Sequence, residues 1–102
     1  MLNKINEGKA NIFAYTDEKI SKEMDVFYNP IMKLNRDISV LLLNNFSRNK
    51  ITICDLLAGT GIRSIRFLLE LKKNKIENII TNDANKKAVQ LIKRNFRFNK
   101  LK

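Results

Sequence analysis

One stretch narrows the fold more than any other. Ile51-Thr52-Ile53-Cys54-Asp55-Leu56-Leu57 runs straight into Ala58-Gly59-Thr60-Gly61, and Ile62 to Lys72 follows. The first seven residues form an apolar run broken only by Thr52 and Asp55, short and rich in β-branched side chains. Such a run predicts a buried strand of a parallel sheet. The glycines supply a turn, and after it Ile62, Ile65, Leu68, Leu69 and Lys72 fall on one side of a helix, with Arg63 and Arg66 elsewhere. Lys72-Lys73-Asn74-Lys75 ends that helix, and Ile76 to Thr81 reads as a second strand centred on Ile79-Ile80. Asp83-Ala84-Asn85 then opens a further helix. It is expected to bury Ala88, Val89, Ile92 and Phe96 and to expose Lys86, Lys87, Lys93, Arg94 and Arg97. Strand, turn, helix, strand is a βαβ unit, whose crossover is expected to be right-handed. The fold class is α/β, Rossmann-like and incomplete.

Upstream, residues 1–28 read as an N-terminal extension and 29–102 as the start of a ligand-binding domain. Asn11 to Tyr15 predicts a short strand, and Thr16 to Lys22 a charged loop. Asn29 before Pro30 fits a helix start, because Asn caps and Pro loses nothing in the first turn. The helix is expected to run to about Asn45. Ile31, Leu34, Ile38, Leu41, Leu42 and Asn45 share a stripe, widened by Met32, Val40, Leu43 and Phe46, so the helix is expected to be well covered. Arg36 and Asp37 interrupt it.

Composition bounds the alternatives. At 102 residues the chain is at most one small domain, and 44% apolar with 29% charged residues is the balance of a folded protein. A net charge of +10 points to a polyanionic partner, RNA or DNA first. A general bias towards Lys, Asn and Ile accounts for the same charge without one. A single cysteine and no histidine exclude an internal disulfide and argue against a zinc site of the usual kind. Cys54, inside the apolar run, is expected to be a buried inert thiol. The N-terminus shows no apolar signal-peptide core and no stretch approaches a membrane span, so a soluble cytoplasmic protein is expected.

Gly59 and Gly61 sit where a strand turns into a helix. Glycine allows the tight turn and the close approach of a ligand, and the helix aims unpaired N–H groups at whatever binds there. Asp55 stands four positions before Gly59, and Asp83, after the second strand, stands 24 positions beyond it. A carboxylate at Asp83 suits the two hydroxyls of a ribose. It suits a cap on the third helix equally. The nicotinamide pattern calls for a third glycine where this chain has Ser64. S-adenosylmethionine has no pyrophosphate to need that glycine, and its cationic sulfonium and ammonium groups suit a carboxylate such as Asp55. Asp55 also reads as a strand-end residue bound to loop amides. Arg63 and Arg66 read as solvated helix residues unless a ligand engages them.

The order of motifs is more specific. Glu7-Gly8-Lys9-Ala10, Val26-Phe27-Tyr28-Asn29-Pro30, Leu34-Asn35-Arg36-Asp37, Asp55 through Arg66, and Asn82-Asp83 occur in that sequence. Taken together the chain resembles the N-terminal part of the archaeal and eukaryotic tRNA (guanine(26)-N2)-dimethyltransferases, over nearly its whole length. The resemblance implies a class I methyltransferase fold, S-adenosylmethionine as donor, and the exocyclic amine of a tRNA guanine as acceptor. It implies that Arg36, Arg63 and Asp83 contact the cofactor, with Asp55, Ala58, Gly59, Gly61 and Ala84 around it. The two arginines would reach the methionyl carboxylate and Asp83 the ribose. Phe27 is a candidate to stack on the target base once that base leaves its helix, or else a core aromatic. Arg36, on an apolar helix face, needs an anion, and the cofactor carboxylate or Asp37 would supply one.

The family carries an Asp-Pro-Phe motif after a later strand, where the Asp assists methyl transfer. The only proline here is Pro30. A truncated chain is therefore expected, without catalytic residues of its own, binding cofactor weakly and turning over little. Its unpaired strand edges would be an aggregation hazard and a route to homo-oligomers. Two other readings stand beside this one. They are a class I methyltransferase acting on another RNA, DNA or protein, and a non-catalytic RNA-binding module built on the basic third helix.

Overall fold

A computed structural model describes residues 2–15, 26 and 28–101. The chain begins with an antiparallel hairpin, β1 (Leu2–Glu7) and β2 (Ala10–Tyr15), in which Glu7 pairs with Ala10 across the two-residue turn Gly8-Lys9. Gly8 takes φ +57°, the sign required at the first central position of a II′ hairpin turn. A β carbon there would collide with the side chains of Arg66 and Glu70. The sequence pattern predicts the second of these strands and not the first.

Asn29 then caps as expected, its side chain accepting the Ile31 N–H at 3.0 Å. A single 3₁₀ turn, Pro30–Met32, leads into α1 (Lys33–Asn45). The remainder is β3 (Ile51–Asp55), α2 (Ile62–Glu70), β4 (Ile76–Thr81) and α3 (Lys86–Phe98), with β3 and β4 paired in parallel. The predicted β-α-β-α order is present, and the limits of the second strand match. The third helix starts at Lys86, capped by Asn85, which accepts the Lys87 N–H at 2.9 Å. It buries Ala88, Leu91, Ile92 and Asn95, while Val89 and Phe96 are only half-buried. Its lysines and arginines at 86, 87, 93, 94 and 97 face outward as expected.

The core lies between the hairpin and the two later helices. Ala10, Ile12 and Ala14, alternate residues of β2, pack with Tyr28, Ile62 and Ile65. Phe13 and Tyr15, on the opposite face, join Leu2 against Val26, Ala88 and Leu91. Asn95 of α3 and Asn99, the cap at its C-terminus, extend the contact to the backbone of β2. Asn95 accepts the Phe13 N–H at 2.8 Å and donates to the Phe13 carbonyl at 3.1 Å. Asn99 accepts the Asn11 N–H at 3.0 Å and donates to the Asn11 carbonyl at 2.7 Å. Alternate residues of a strand edge thus meet side-chain amides where a third strand would otherwise have to lie. That removes the exposed edge that makes isolated hairpins prone to pair with other chains. Asn95 also donates to the Thr60 carbonyl at 2.9 Å, tying the glycine turn to the hairpin.

Three expectations are corrected. The helix α1 and the turn before it are not covered: α1 buries only Arg36 and Val40, Leu34, Ile38, Leu41 and Leu42 are exposed, and Ile31 of the turn is exposed by 80%. Periodicity identifies an amphipathic face, but no element among the described residues packs on this one. The same holds for β3, which is covered on one side only, so Cys54 is an exposed thiol rather than a buried one. Its neighbour across the ladder, Ile80, is exposed with it. Arg66, read as solvated, is 4% exposed. Among the described residues no helix is long and apolar enough to cross a membrane.

Candidate functional site

The parallel ladder continues past the strands. Asn82 donates its N–H to the Asp55 carbonyl at 2.8 Å, and Ala58 donates to the Asn82 carbonyl at 3.0 Å. The two strand ends are therefore held side by side where the glycine turn begins. Gly59 and Gly61 both take positive φ, +56° and +82°. Gly61 occupies the N-cap of α2 in a left-handed conformation, where a side chain would be strained.

A cleft of about 430 Å³ opens at this turn. It is lined by Asp55, Ala58, Gly59 and Arg63 from the strand, turn and helix, by Asp83 and Ala88 from the α3 side, and by Val26, Tyr28, Met32 and Arg36 from the N-terminal part. Six of the expected cofactor residues meet here: Arg36, Asp55, Ala58, Gly59, Arg63 and Asp83. The lining does not include Gly61 or Ala84. A β carbon on Gly61 would stand 3.4 Å from Ile92, so this glycine serves the approach of α2 to α3. Phe27 lies outside the described residues.

Asp83 is a hinge of the cleft. One carboxylate oxygen accepts the Gly59 N–H at 2.9 Å and the other accepts the Asn85 N–H at 2.9 Å. It therefore holds the glycine turn and the start of α3 together. The helix cap itself is Asn85, so the competing capping role falls to the neighbour. A carboxylate has about four acceptor sites, so each Asp83 oxygen retains one. Asp55 is engaged differently. Ser64 donates to its carboxylate at 2.7 Å, and Thr81 donates to the Ser64 hydroxyl at 2.8 Å. Among the described residues no loop amide is its partner. Ser64 is fully buried, and its hydroxyl has a use that the glycine of the nicotinamide pattern would not supply.

The arginines divide. Arg63 donates to the Ser39 hydroxyl and to the Asn35 side-chain oxygen of α1, both at 2.8 Å, which holds its stem across the cleft wall. Among the protein's own carboxylates, Arg36 takes Glu7 rather than Asp37. Its Nε and Nη2 bind Glu7 at 2.8 and 2.6 Å, and Nη2 also donates to the Asn29 carbonyl at 3.0 Å. Asp37 pairs instead with Lys33 and with Arg66, at 2.7 and 2.6 Å. Arg66 reaches Glu7 at 3.1 Å and forks onto Glu70 at 2.8 and 2.9 Å. Tyr28 donates its hydroxyl to Glu7 at 2.9 Å.

Glu7, 1% exposed, is thus the centre of a buried cluster next to the cleft. Burial pushes its carboxyl up, but the hydrogen bonds from Arg36 and Tyr28 and the charge of Arg36 outweigh that and hold it below the ordinary range. Burial and the Glu7 carboxylate push the Tyr28 phenol up to about 12. Sequence reasoning placed Glu7 only inside a family motif. Its partners lie 21, 29 and 59 positions away, and no local spacing reveals them.

A parallel strand pair with a glycine turn, an acid at the end of the first strand and another after the second defines the class: this is part of a class I methyltransferase fold. In agreement, the chain superposes on the structure of Trm1 from Pyrococcus horikoshii in complex with S-adenosyl-L-methionine, with a TM-score of 0.80 and 42% identity over 96% of this chain and 24% of that one. The model of the family N2,N2-dimethylguanosine tRNA methyltransferase matches residues 4–102, and the chain belongs to that family. Relatives named tRNA (guanine(26)-N(2))-dimethyltransferase include those of Methanococcus maripaludis strain C7 and of Methanosphaera stadtmanae. They are 42% and 39% identical over 95% of this chain, and the alignments cover 27% and 25% of their own lengths. The chain spans about a quarter of the relatives it matches.

Proposed function

We propose that this chain forms the donor-binding part of a cytoplasmic S-adenosylmethionine-dependent methyltransferase whose acceptor is the exocyclic N2 amine of guanine 26 in tRNA. The observation that carries the reading is the arrangement of charge around one cleft. The Asp83 carboxylate, with an acceptor site left on each oxygen, stands at the turn, and Arg36 and Arg63 line the wall formed with α1. S-adenosylmethionine carries a diol and a carboxylate as its two recognisable polar ends. Asp83 has the acceptors for the first, and Arg36 and Arg63 have the donors for the second. The cleft volume falls within the range of small-molecule sites, roughly 300–1,000 Å³.

When bound, the donor supplies a methyl group on a positively charged sulfur. The part of this chain is to hold and orient it. Asp55, fixed by Ser64, adds negative charge to the same cleft. No residue here is assigned to the acceptor amine, and Phe27 keeps its proposed role against the base. The outward face of α3, with Lys86, Lys93, Arg94 and Arg97 and no acidic residue along the helix, supports tRNA as the polyanionic partner.

Titration with S-adenosylhomocysteine tests the reading. Saturable binding abolished by Asp83→Ala is expected. Absence of binding, combined with salt-dependent tRNA affinity, would favour a non-catalytic RNA-binding module instead.

A further inference from the structure

We infer that Glu7 is the positioning residue for Arg36, setting which edge of that guanidinium the donor cleft receives. The inference deepens the proposed function and rests on it, since it concerns the carboxylate end of the same ligand.

Glu7 receives four donors: Tyr28 and Arg36 Nη2 on Oε1, and Arg36 Nε and Arg66 Nη1 on Oε2. That fills the roughly four acceptor sites of a carboxylate. A fully engaged, buried carboxylate cannot swing, so it is a fixed reference point for whatever binds it. Arg36 binds it through the Nε and Nη2 edge, in the bidentate manner that fixes the plane of a guanidinium as well as its position. The Asn29 carbonyl takes a further Nη2 contact, and the Tyr28 ring lies 5.0 Å from the guanidinium carbon. Nη1 makes no hydrogen bond among the described residues, and Arg36 lines the cleft. The N–H groups of Nη1 are therefore the ones left for a ligand carboxylate.

Arg66 completes the arrangement. It touches Glu7 but is itself held by Glu70 and Asp37, so its charge is already answered. Glu7 also belongs to β1, and the hairpin turn that follows it rests on Glu70, which accepts the Lys9 N–H at 3.1 Å. The N-terminal hairpin thereby acts on the cleft without lining it.

The test compares two ligands that differ at the relevant end. S-adenosylhomocysteine has the amino-acid carboxylate, and 5′-methylthioadenosine lacks it. Calorimetric titration of the chain and of the Glu7→Gln variant, in which one acceptor is lost and an N–H faces the guanidinium, is expected to show affinity for S-adenosylhomocysteine falling about tenfold, a change of ~1.4 kcal/mol. Affinity for 5′-methylthioadenosine is expected to stay within about twofold. In an Arg36→Met background, which itself weakens only the carboxylate ligand, Glu7→Gln should have no further effect. Unchanged binding of S-adenosylhomocysteine in Glu7→Gln overturns the inference. Equal loss of both ligands also overturns it, because Glu7 would then serve the fold alone. Failure of the unsubstituted chain to bind S-adenosylhomocysteine removes the donor-site reading itself.

Discussion

The molecule sets its carboxylates in two unlike surroundings. Glu7 is buried, saturated with donors and answered by two guanidinium groups. Asp83 is half-buried on the wall of a cleft and, among the described residues, is answered by two backbone N–H groups, with acceptor sites remaining. The first arrangement spends its full bonding capacity inside the protein and so can only hold the fold and orient what it touches. The second keeps capacity in reserve, as a binding group must. The contrast separates a carboxylate that acts only through the protein groups it holds from one free to meet a ligand directly, although Glu7 borders, through Arg36 and Tyr28, the cleft that Asp83 lines.

Removing each in turn should give opposite signatures. Glu7→Ala leaves Arg36, part of Arg66 and the Tyr28 hydroxyl without their buried partner. Breaking a buried ion pair on one side costs about 3–5 kcal/mol. For a domain this small that is a large part of its total stability. Urea unfolding followed by circular dichroism is expected to show the midpoint collapse. A small shift would mean that the cluster hydrates easily and is not the fixed point described above.

Acid and base should find the same difference. Glu7, despite its burial, is held below the ordinary glutamate value of 4.5 by Arg36, Tyr28 and Arg66. Burial likewise pushes Glu70 up, and its Arg66 contacts and the Lys9 amide bring it down overall. A depressed carboxyl contributes stability that is present above its unfolded pKa and is lost as pH falls through the folded one. Stability should therefore decline below about pH 4.5. Tyr28 has the opposite sign. Its phenol, raised from 10.0 to about 12, contributes stability below pH 10 that is lost as pH rises through the folded value. Unfolding free energies measured across the pH range should form a plateau with these two shoulders. Tyr28→Phe should remove the alkaline one, and a shoulder that survives would break the assignment.

At the cleft the balance reverses. Asp83→Asn should cost only about 1 kcal/mol of stability, because one oxygen acceptor remains and the site is partly solvated. Affinity for S-adenosylhomocysteine should fall about tenfold or more, the value of a charge-assisted hydrogen bond being roughly 1.5–3 kcal/mol. Calorimetry alongside unfolding measures both. Comparable losses in both quantities would erase the distinction between the two carboxylates.

How much of this was legible depended on distance along the chain. The strand-turn-helix, the Asn29 cap and the Ile76–Thr81 strand rest on local chemistry, and each was found within a few residues of its place. The cleft residues Asp55, Gly59 and Asp83 followed from a turn and two strand ends whose spacing a parallel pair dictates. The partner of Arg36 was not legible. An isolated arginine on an apolar helix announces that it needs an anion, but Glu7 reaches it only because the hairpin folds back across the helix layer. Burial of α1 was misjudged for a related reason. Spacing shows that Leu34, Ile38 and Leu41 share a face, and says nothing about whether another element lies against it.

Ser64 offers the smallest effect and the finest division. Its hydroxyl, on α2, links Thr81 of β4 to Asp55 at the end of β3. Ser64→Ala removes a donor from Asp55 and an acceptor from Thr81 without changing the backbone. The expected cost is about 1 kcal/mol, the net worth of a hydrogen bond in a protein. The more telling result is what happens to ligand affinity. If Asp55 acts mainly as a strand-end brace, Ser64→Ala should lower stability and leave S-adenosylhomocysteine binding unchanged within about twofold. If Asp55 must be aimed to serve the cleft, affinity should fall further than stability does. The first outcome would make Asp55 a brace between the strand ends, and the second would align it with Asp83.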